Sequence, residues 1–433
     1  MGADHPHPSP ASPRLRKILT AIVVPLFATT CLATILLWPT NTPAPPETAP
    51  VPRYHGTVTR IVIEPCPELS DTPDATASRG PCGTATVALH DGPNNGEQVD
   101  TPIPAGPGAP TIAVGDDVIV VALTDPADPT SSTYNIADQQ RGPPMIWLLA
   151  AFAAAIIAFG RLRGLAALAG LAASFTILLT FILPAILDGS PPLPAAVTGA
   201  ALIMFVVLYL THGVTVQTSV AVLGTLASLV LTGALGITAI AATHLTGFGS
   251  EDATTLSFIA GDVDLHGLLL AGIIIGSLGV LDDVTVTQAA TVTELARANP
   301  TLTRRQLYRA ATRVGRAHIA STVNTIVLAY AGASLPLLLL IIAGGGRSVV
   351  EILTTEFIAQ EIVRSAVATL GLIAAVPITT GLAAIVTITG RPASRHIPRP
   401  RADRADVLAA LADTPPATDT GSGPAPAQWD PGR

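Results

Sequence analysis

Two adjacent carboxylates, Asp282 and Asp283, close an apolar run that ends Gly276-Ser277-Leu278-Gly279-Val280-Leu281 and continues beyond them as Val284-Thr285-Val286-Thr287-Gln288. A carboxylate at the centre of a membrane helix costs about 2.5–3.5 kcal/mol on insertion scales, so two in succession mark a place where negative charge has a use. The chemistry open to such a pair is to hold a cation or to relay a proton. With His266 at the outer mouth of the helix, Asp282 lies about 24 Å along its axis, in the inner leaflet rather than at the midplane. Helical spacing sets Asp283, Thr287 and Glu294 on one face and Asp282, Thr285 and Ala289 on another. The competing reading is an inner helix end whose carboxylates pair with nearby arginines such as Arg313 or Arg316.

A second polar group starts on the same side of the membrane. His318, Ser321, Thr322 and Thr325 recur at the spacing of one helical stripe, with Asn324 beside it. A polar stripe in lipid faces other helices or a water-filled cavity. Asp282, Asp283, Thr287, Gln288, His318, Ser321, Asn324 and Thr325 together outline one polar vestibule, a path for an ion or small solute. The alternative is that the Ser, Thr and Asn side chains only join helices by hydrogen bonds. Gly272-x-x-x-Gly276 reads as a face for close helix packing. Pro336 and Pro377 interrupt the two spans that follow and predict kinks there, which in secondary transporters surround ion sites.

Enzymatic motifs are missing from the sequence. It contains no Gly-x-Ser-x-Gly, no His-Glu-x-x-His and no phosphate loop. An aspartyl dyad needs two carboxylates that share a proton, and Asp262 falls on the opposite side of the membrane from Asp282 and Asp283. The expectation is a non-enzyme with no resident cofactor and no metal site.

The elements that must position these residues are membrane spans. The chain of 433 residues is 49% hydrophobic and 12% charged, whereas a soluble domain carries about 25% charged residues. No basic stripe points to nucleic acid. Apolar runs near 18–38, 144–160, 164–187, 194–211, 217–245, 266–287, 318–342 and 363–389 predict an α-helical polytopic membrane protein of about eight transmembrane helices. Arginines sort by loop: Arg161 and Arg163, then Arg297 to Arg316, then Arg391 to Arg404 fall on alternate sides from the arginine-poor loops 188–193 and 246–265. The positive-inside rule then puts both termini in the cytoplasm.

Residues 1–17 read as a cytoplasmic tail, 18–38 as an anchor helix and 39–52 as a linker. Residues 53–142 form the only large polar segment, 143–389 the seven-helix remainder of the membrane domain, and 390–433 a disordered cytoplasmic tail. In the polar segment, β-branched runs at 57–63, 84–89 and 117–123, bounded by turn clusters such as 91–96, predict a small extracytoplasmic all-β domain of OB-like type. Cys66 and Cys82 lie in it, and two thiols in an oxidising compartment most simply form one disulfide.

Beyond these patterns, the run Gly279-Val280-Leu281-Asp282-Asp283-Val284-Thr285-Val286-Thr287-Gln288-Ala289 resembles the YibE/F family of bacterial multi-pass proteins. So do Arg304-Arg305-Gln306-Leu307-Tyr308-Arg309-Ala310, His318 to Thr325, Ala329 to Leu337 and Ala359 to Arg364. The resemblance runs from about 54 to 389 and is most specific over 276–337. It implies a bacterial plasma-membrane protein of permease-like kind, most like the actinobacterial branch. Two functions follow as expectations. One is movement of an ion or small solute, with the Asp pair as cation or proton site. The other is a non-transporting membrane scaffold or regulator whose β domain docks an envelope partner.

Overall fold

A computed structural model describes residues 13–40, 52–64, 82–104, 109–125, 128–261, 263–343 and 348–389. The expected tails at 390–433 and at most of 1–17, much of the linker, and Cys66 lie outside the described residues. Helix α1 (Pro13–Leu36) is followed by five strands: β1 (Arg53–Glu64), β2 (Cys82–Leu89), β3 (Gln98–Pro102), β4 (Asp117–Asp125) and β5 (Asp128–Gln139). They pair in the order β3-β2-β1-β4-β5, every neighbour antiparallel. Inward residues alternate as a half-buried strand requires. Val58, Ala85, Val87, Val118, Val120 and Ile136 make the core. On the surface of this sheet the His55 ring and amide both donate to Asp91 and hold its carboxyl below the usual range. Cys82, the first residue of β2, is disulfide-bonded, and Cys31 in α1 is free.

The rest is helical: α2 (Gly142–Gly160), α3 (Leu162–Ile177), α4 (Leu183–Leu187), α5 (Pro192–His212), α6 (Val216–Thr243), α7 (Glu251–Ile259), α8 (Leu265–Ala298), α9 (Arg304–Ala333), α10 (Leu335–Ala343), α11 (Val349–Leu353) and α12 (Glu356–Thr389). A π turn at Leu178–Ile182 joins α3 to α4, just before Pro184, which has no N–H to extend the regular ladder. Counting α3 to α4 as one, seven helices among the described residues are long and apolar enough to cross a membrane: α1, α2, α3–α4, α5, α6, α8 and α12. The expected span at 318–342 is divided instead between α9 and α10. Pro336 lacks the amide that would continue α9 and its ring crowds the preceding turn, so the helix stops at Ala333 and restarts after Ser334. Pro377 is absorbed within α12.

Helices α6, α8 and α12 pack against one another, with α5 on α8 and α9 on α12 and α8. The distribution of polarity is inverted relative to a soluble protein. Trp147, Phe159, Val230 and Ile373 are exposed, while Thr225, Ser228, Thr232, Ser277, Thr285, Gln288, Thr379 and Thr380 are buried. Apolar lipid gives no drive to bury Leu, so helices associate through small residues and hydrogen bonds. Thr225, Ser228 and Thr232 return their hydroxyls to their own helix, to the carbonyls of Ala221, Gly224 and Ser228.

Glycine sets the closest approaches. A Cβ at Gly224 would lie 2.3 Å from Thr379 Oγ1, and one at Gly371 would lie 2.1 Å from Thr232 Oγ1. The Gly272 and Gly276 face behaves differently from expectation: among the described residues nothing approaches Gly272, and only the Tyr330 hydroxyl comes near Gly276. The α6–α12 contact, not this face of α8, is where small residues bring helices together. Gly224→Leu and Gly371→Leu should each lower stability by about 1–3 kcal/mol through overpacking. Gly272→Leu should stay within about 0.5 kcal/mol of wild type. Chemical unfolding of the purified full-length protein in detergent measures all three.

Candidate functional site

Helix α8 runs without a break from Leu265 to Ala298, so Asp282 and Asp283 sit within a helix rather than at its end. Adjacent helical residues point about 100° apart, and the two carboxylates differ accordingly. Asp282 is half-buried, and its carbonyl accepts from Thr285 Oγ1 at 3.0 Å. The Asp283 side chain is 68% exposed, and its Oδ2 lies 3.8 Å from His318 Nε2 on α9. That separation suits an ion pair when the imidazole is protonated and is too long for a hydrogen bond. Among the described residues no arginine pairs with either carboxylate; Arg313 and Arg316 are turned elsewhere.

One turn further along α8 the chain enters a buried polar seam. Thr285 Oγ1 is 2.6 Å from Thr225 Oγ1 of α6. Thr380 Oγ1 of α12 donates to Gln288 Oε1 at 3.0 Å. Helix α9 closes the fourth side at Gly315, where a Cβ would fall 2.6 Å from Gln288 Nε2. Two polar atoms here are buried without a hydrogen-bond partner among the described residues, Gln288 Nε2 and Thr379 Oγ1. An unpaired buried polar group costs about 1–3 kcal/mol. The Gln288 amide lies against Gly315 of α9 and the Thr379 hydroxyl against Gly224 of α6, so the bundle holds an unpartnered N–H and an unpartnered hydroxyl at two different helix contacts.

The expected vestibule is thereby distributed over two places. Gln288 belongs to the seam between α6, α8 and α12. Asp283, with half-buried Thr287 one turn on, and half-buried His318 lie along the α8–α9 side. Ser321, Asn324 and Thr325 are exposed on α9, and the Thr325 hydroxyl turns back to the Ser321 carbonyl. Thr225, Thr379 and Thr380 were not singled out from the sequence. A signal existed in α6, where Thr225, Ser228 and Thr232 recur at helical spacing inside an apolar span. Thr379 and Thr380 follow Pro377 with no such repeat. No group of three or more His, Cys, Asp or Glu among the described residues is placed to hold a metal ion.

Membrane-length helices, apolar outside and polar within, define a multi-pass membrane protein. The family model of the YibE/F-like protein matches residues 148–389, more than half of the chain, and the chain belongs to that family. The match covers the bundle from within α2 to the end of α12 and leaves the sheet outside it. No curated protein and no solved structure matches the chain.

If the seam's bond is a real coupling, Thr380→Val should cost about 0.6–1.7 kcal/mol, the range of interhelical hydrogen bonds in membranes. Gln288→Leu removes an unpaired amide along with the bond and should be close to neutral, and Thr380→Val should then cost nothing further. A double-mutant cycle on unfolding free energies in detergent checks this.

Proposed function

We propose that this protein is a permease-like plasma-membrane protein that passes an ion or small polar solute along the α6–α8–α12 seam. The observation that carries the reading is two buried, unpartnered polar groups inside the bundle, Gln288 Nε2 at the α8–α9 contact and Thr379 Oγ1 at the α6–α12 contact. Polar groups inside a membrane domain face partners or a pathway. In this reading Thr225, Thr285, Gln288, Thr379 and Thr380 offer hydroxyl and amide groups to the cargo. Asp282, one turn from Thr285, and Asp283, facing His318, hold the cation or proton at one end. Asp283 and His318 face each other across α8 and α9, and Ser321, Asn324 and Thr325 extend the polar surface along α9.

The topology we infer has both termini in the cytoplasm, with α9 and α10 together making an eighth, broken crossing. The arginine-rich segments of α9 and the 161–163 turn face inward by the positive-inside rule. Contacts between segments assigned to the outer side support it. Thr40, just after α1, donates to Asp188 before α5 at 2.9 Å. Thr246 and Gly247, after α6, donate to Glu356 at the start of α12 at 2.8 and 2.9 Å. The sheet then stands outside the cell. Its strand order, with β3 lying near β5 at the two ends, favours an OB-like barrel that gates or recruits.

Flux through proteoliposomes tests the reading, using a pH-sensitive dye and a panel of cations and anions. Wild type should move at least one of them. Asp282→Asn/Asp283→Asn should remove a proton- or cation-coupled flux, with the protein still folded and monodisperse. Folded wild type that moves nothing across the panel would sink the permease reading in favour of a scaffold or regulator that docks an envelope partner through its sheet. Crosslinking at the sheet would then identify that partner.

A further inference from the structure

We propose that the first turns of α9 form a binding site for a phosphate-bearing anion, built from Arg309, Arg313 and Arg316 around Tyr308 and Thr312. These five residues line a recess of about 200 Å³, on a helix whose start is fixed by a capping box between Thr303 and Gln306. The arginines stand at i, i+4 and i+7, so their guanidinium groups share one face.

Three observations single the site out. First, the three arginines are gathered on one helix face and none has an ion-pair partner among the described residues. Like charges one turn apart repel, so the arrangement is unfavourable unless something neutralises it. Second, Thr312 lines the same recess, and its hydroxyl is buried without a hydrogen-bond partner among the described residues. Third, the floor is built rather than accidental. Tyr308 packs against the bundle core, and Leu307 and Ala311, on the buried side of the same turns, are fully buried. Guanidinium forks bind phosphate oxygens in pairs, and a hydroxyl supplies a further donor. A carboxylate would satisfy one fork and leave the others bare, so a phosphate group is the fit for three.

Position suggests two sources for that group. Gly315 faces Gln288, so Arg316 lies level with the polar seam, and Arg313 and Arg309 step away from it toward the C-terminal end of α8. In the inferred topology this is the cytoplasmic interface, where basic recesses between helices take anionic lipid headgroups. A soluble phosphate or pyrophosphate offers the same chemistry. The proposal does not depend on transport.

The test uses full-length protein in nanodiscs. Native mass spectrometry would follow retention of phosphatidylglycerol against phosphatidylcholine, and calorimetry would follow inorganic phosphate and pyrophosphate. Three variants accompany wild type. Arg309→Gln/Arg313→Gln/Arg316→Gln empties the site of charge. Arg309→Lys/Arg313→Lys/Arg316→Lys keeps the charge, and with it the topology, but loses the forks. Arg297→Gln/Arg305→Gln removes neighbouring charges only. Wild type should prefer the anion by about tenfold or more. The Gln triple should lose that preference, the Lys triple should fall between, and Arg297→Gln/Arg305→Gln should keep it. Preference for phosphatidylglycerol alone would assign the site to lipid. Binding of phosphate or pyrophosphate alone would assign it to a soluble ligand. Binding of neither, or equal loss in the Lys triple and in Arg297→Gln/Arg305→Gln, would overturn the proposal and leave the arginines as orientation signals only.

Discussion

The architecture depends on the close contact of α6, α8 and α12. Gly224 seats against Thr379, Gly371 against Thr232, and Thr225 meets Thr285 hydroxyl to hydroxyl. In water such contacts would add little to a hydrophobic core. In a bilayer, where lipid tails compete equally for apolar side chains, small residues and shared hydrogen bonds decide which helices meet. The same contact that holds the three helices together also carries polar groups to the middle of the bundle. Gln288 is held there by one bond from Thr380 and by the absence of a side chain at Gly315.

The rest follows from that placement. Because α8 passes unbroken through the bundle, Asp282 and Asp283 are carried on the same rod as Gln288, one to two turns away. Because α9 crosses at Gly315, its next turn brings His318 beside Asp283, and its earlier turns place three arginines at the domain's edge. Pro336 then ends the helix before it can cross as one piece. A single long, polar-faced helix thus contributes to the seam, to the carboxylate surface and to the basic recess.

Much of the fold was legible in the sequence because hydrocarbon imposes a coarse rule, long apolar runs, that composition reveals directly. The runs at 18–38, 144–160, 164–187, 194–211, 217–245, 266–287 and 363–389 each fall on a membrane-length helix. The strand runs at 57–63, 84–89 and 117–123 fall in β1, β2 and β4. What the sequence concealed was azimuth. Which side of α9 meets α8 depends on the crossing, so His318 and Thr325 share one stripe on paper, yet in the bundle His318 is half-buried beside Asp283 and Thr325 is exposed. Thr379 and Thr380 were invisible for the same reason: isolated threonines after a proline acquire meaning only when Gly224 and Gln288 are seen opposite them. The Gly272 and Gly276 pair shows the converse, a packing motif that, among the described residues, only the Tyr330 hydroxyl approaches.

The central claim is that polar cargo reaches the buried seam from water. Thiol labelling of Thr379→Cys, in a Cys31→Ala background within sealed membrane vesicles, tests it most directly, using a small charged reagent with Thr255→Cys, exposed on α7, as the reference. The account predicts measurable labelling at position 379 despite its complete burial, and slower labelling when Gln288→Leu removes the seam's amide. A Thr379→Cys thiol that stays inert while the reference position reacts to completion would contradict it and make the seam a packing feature alone.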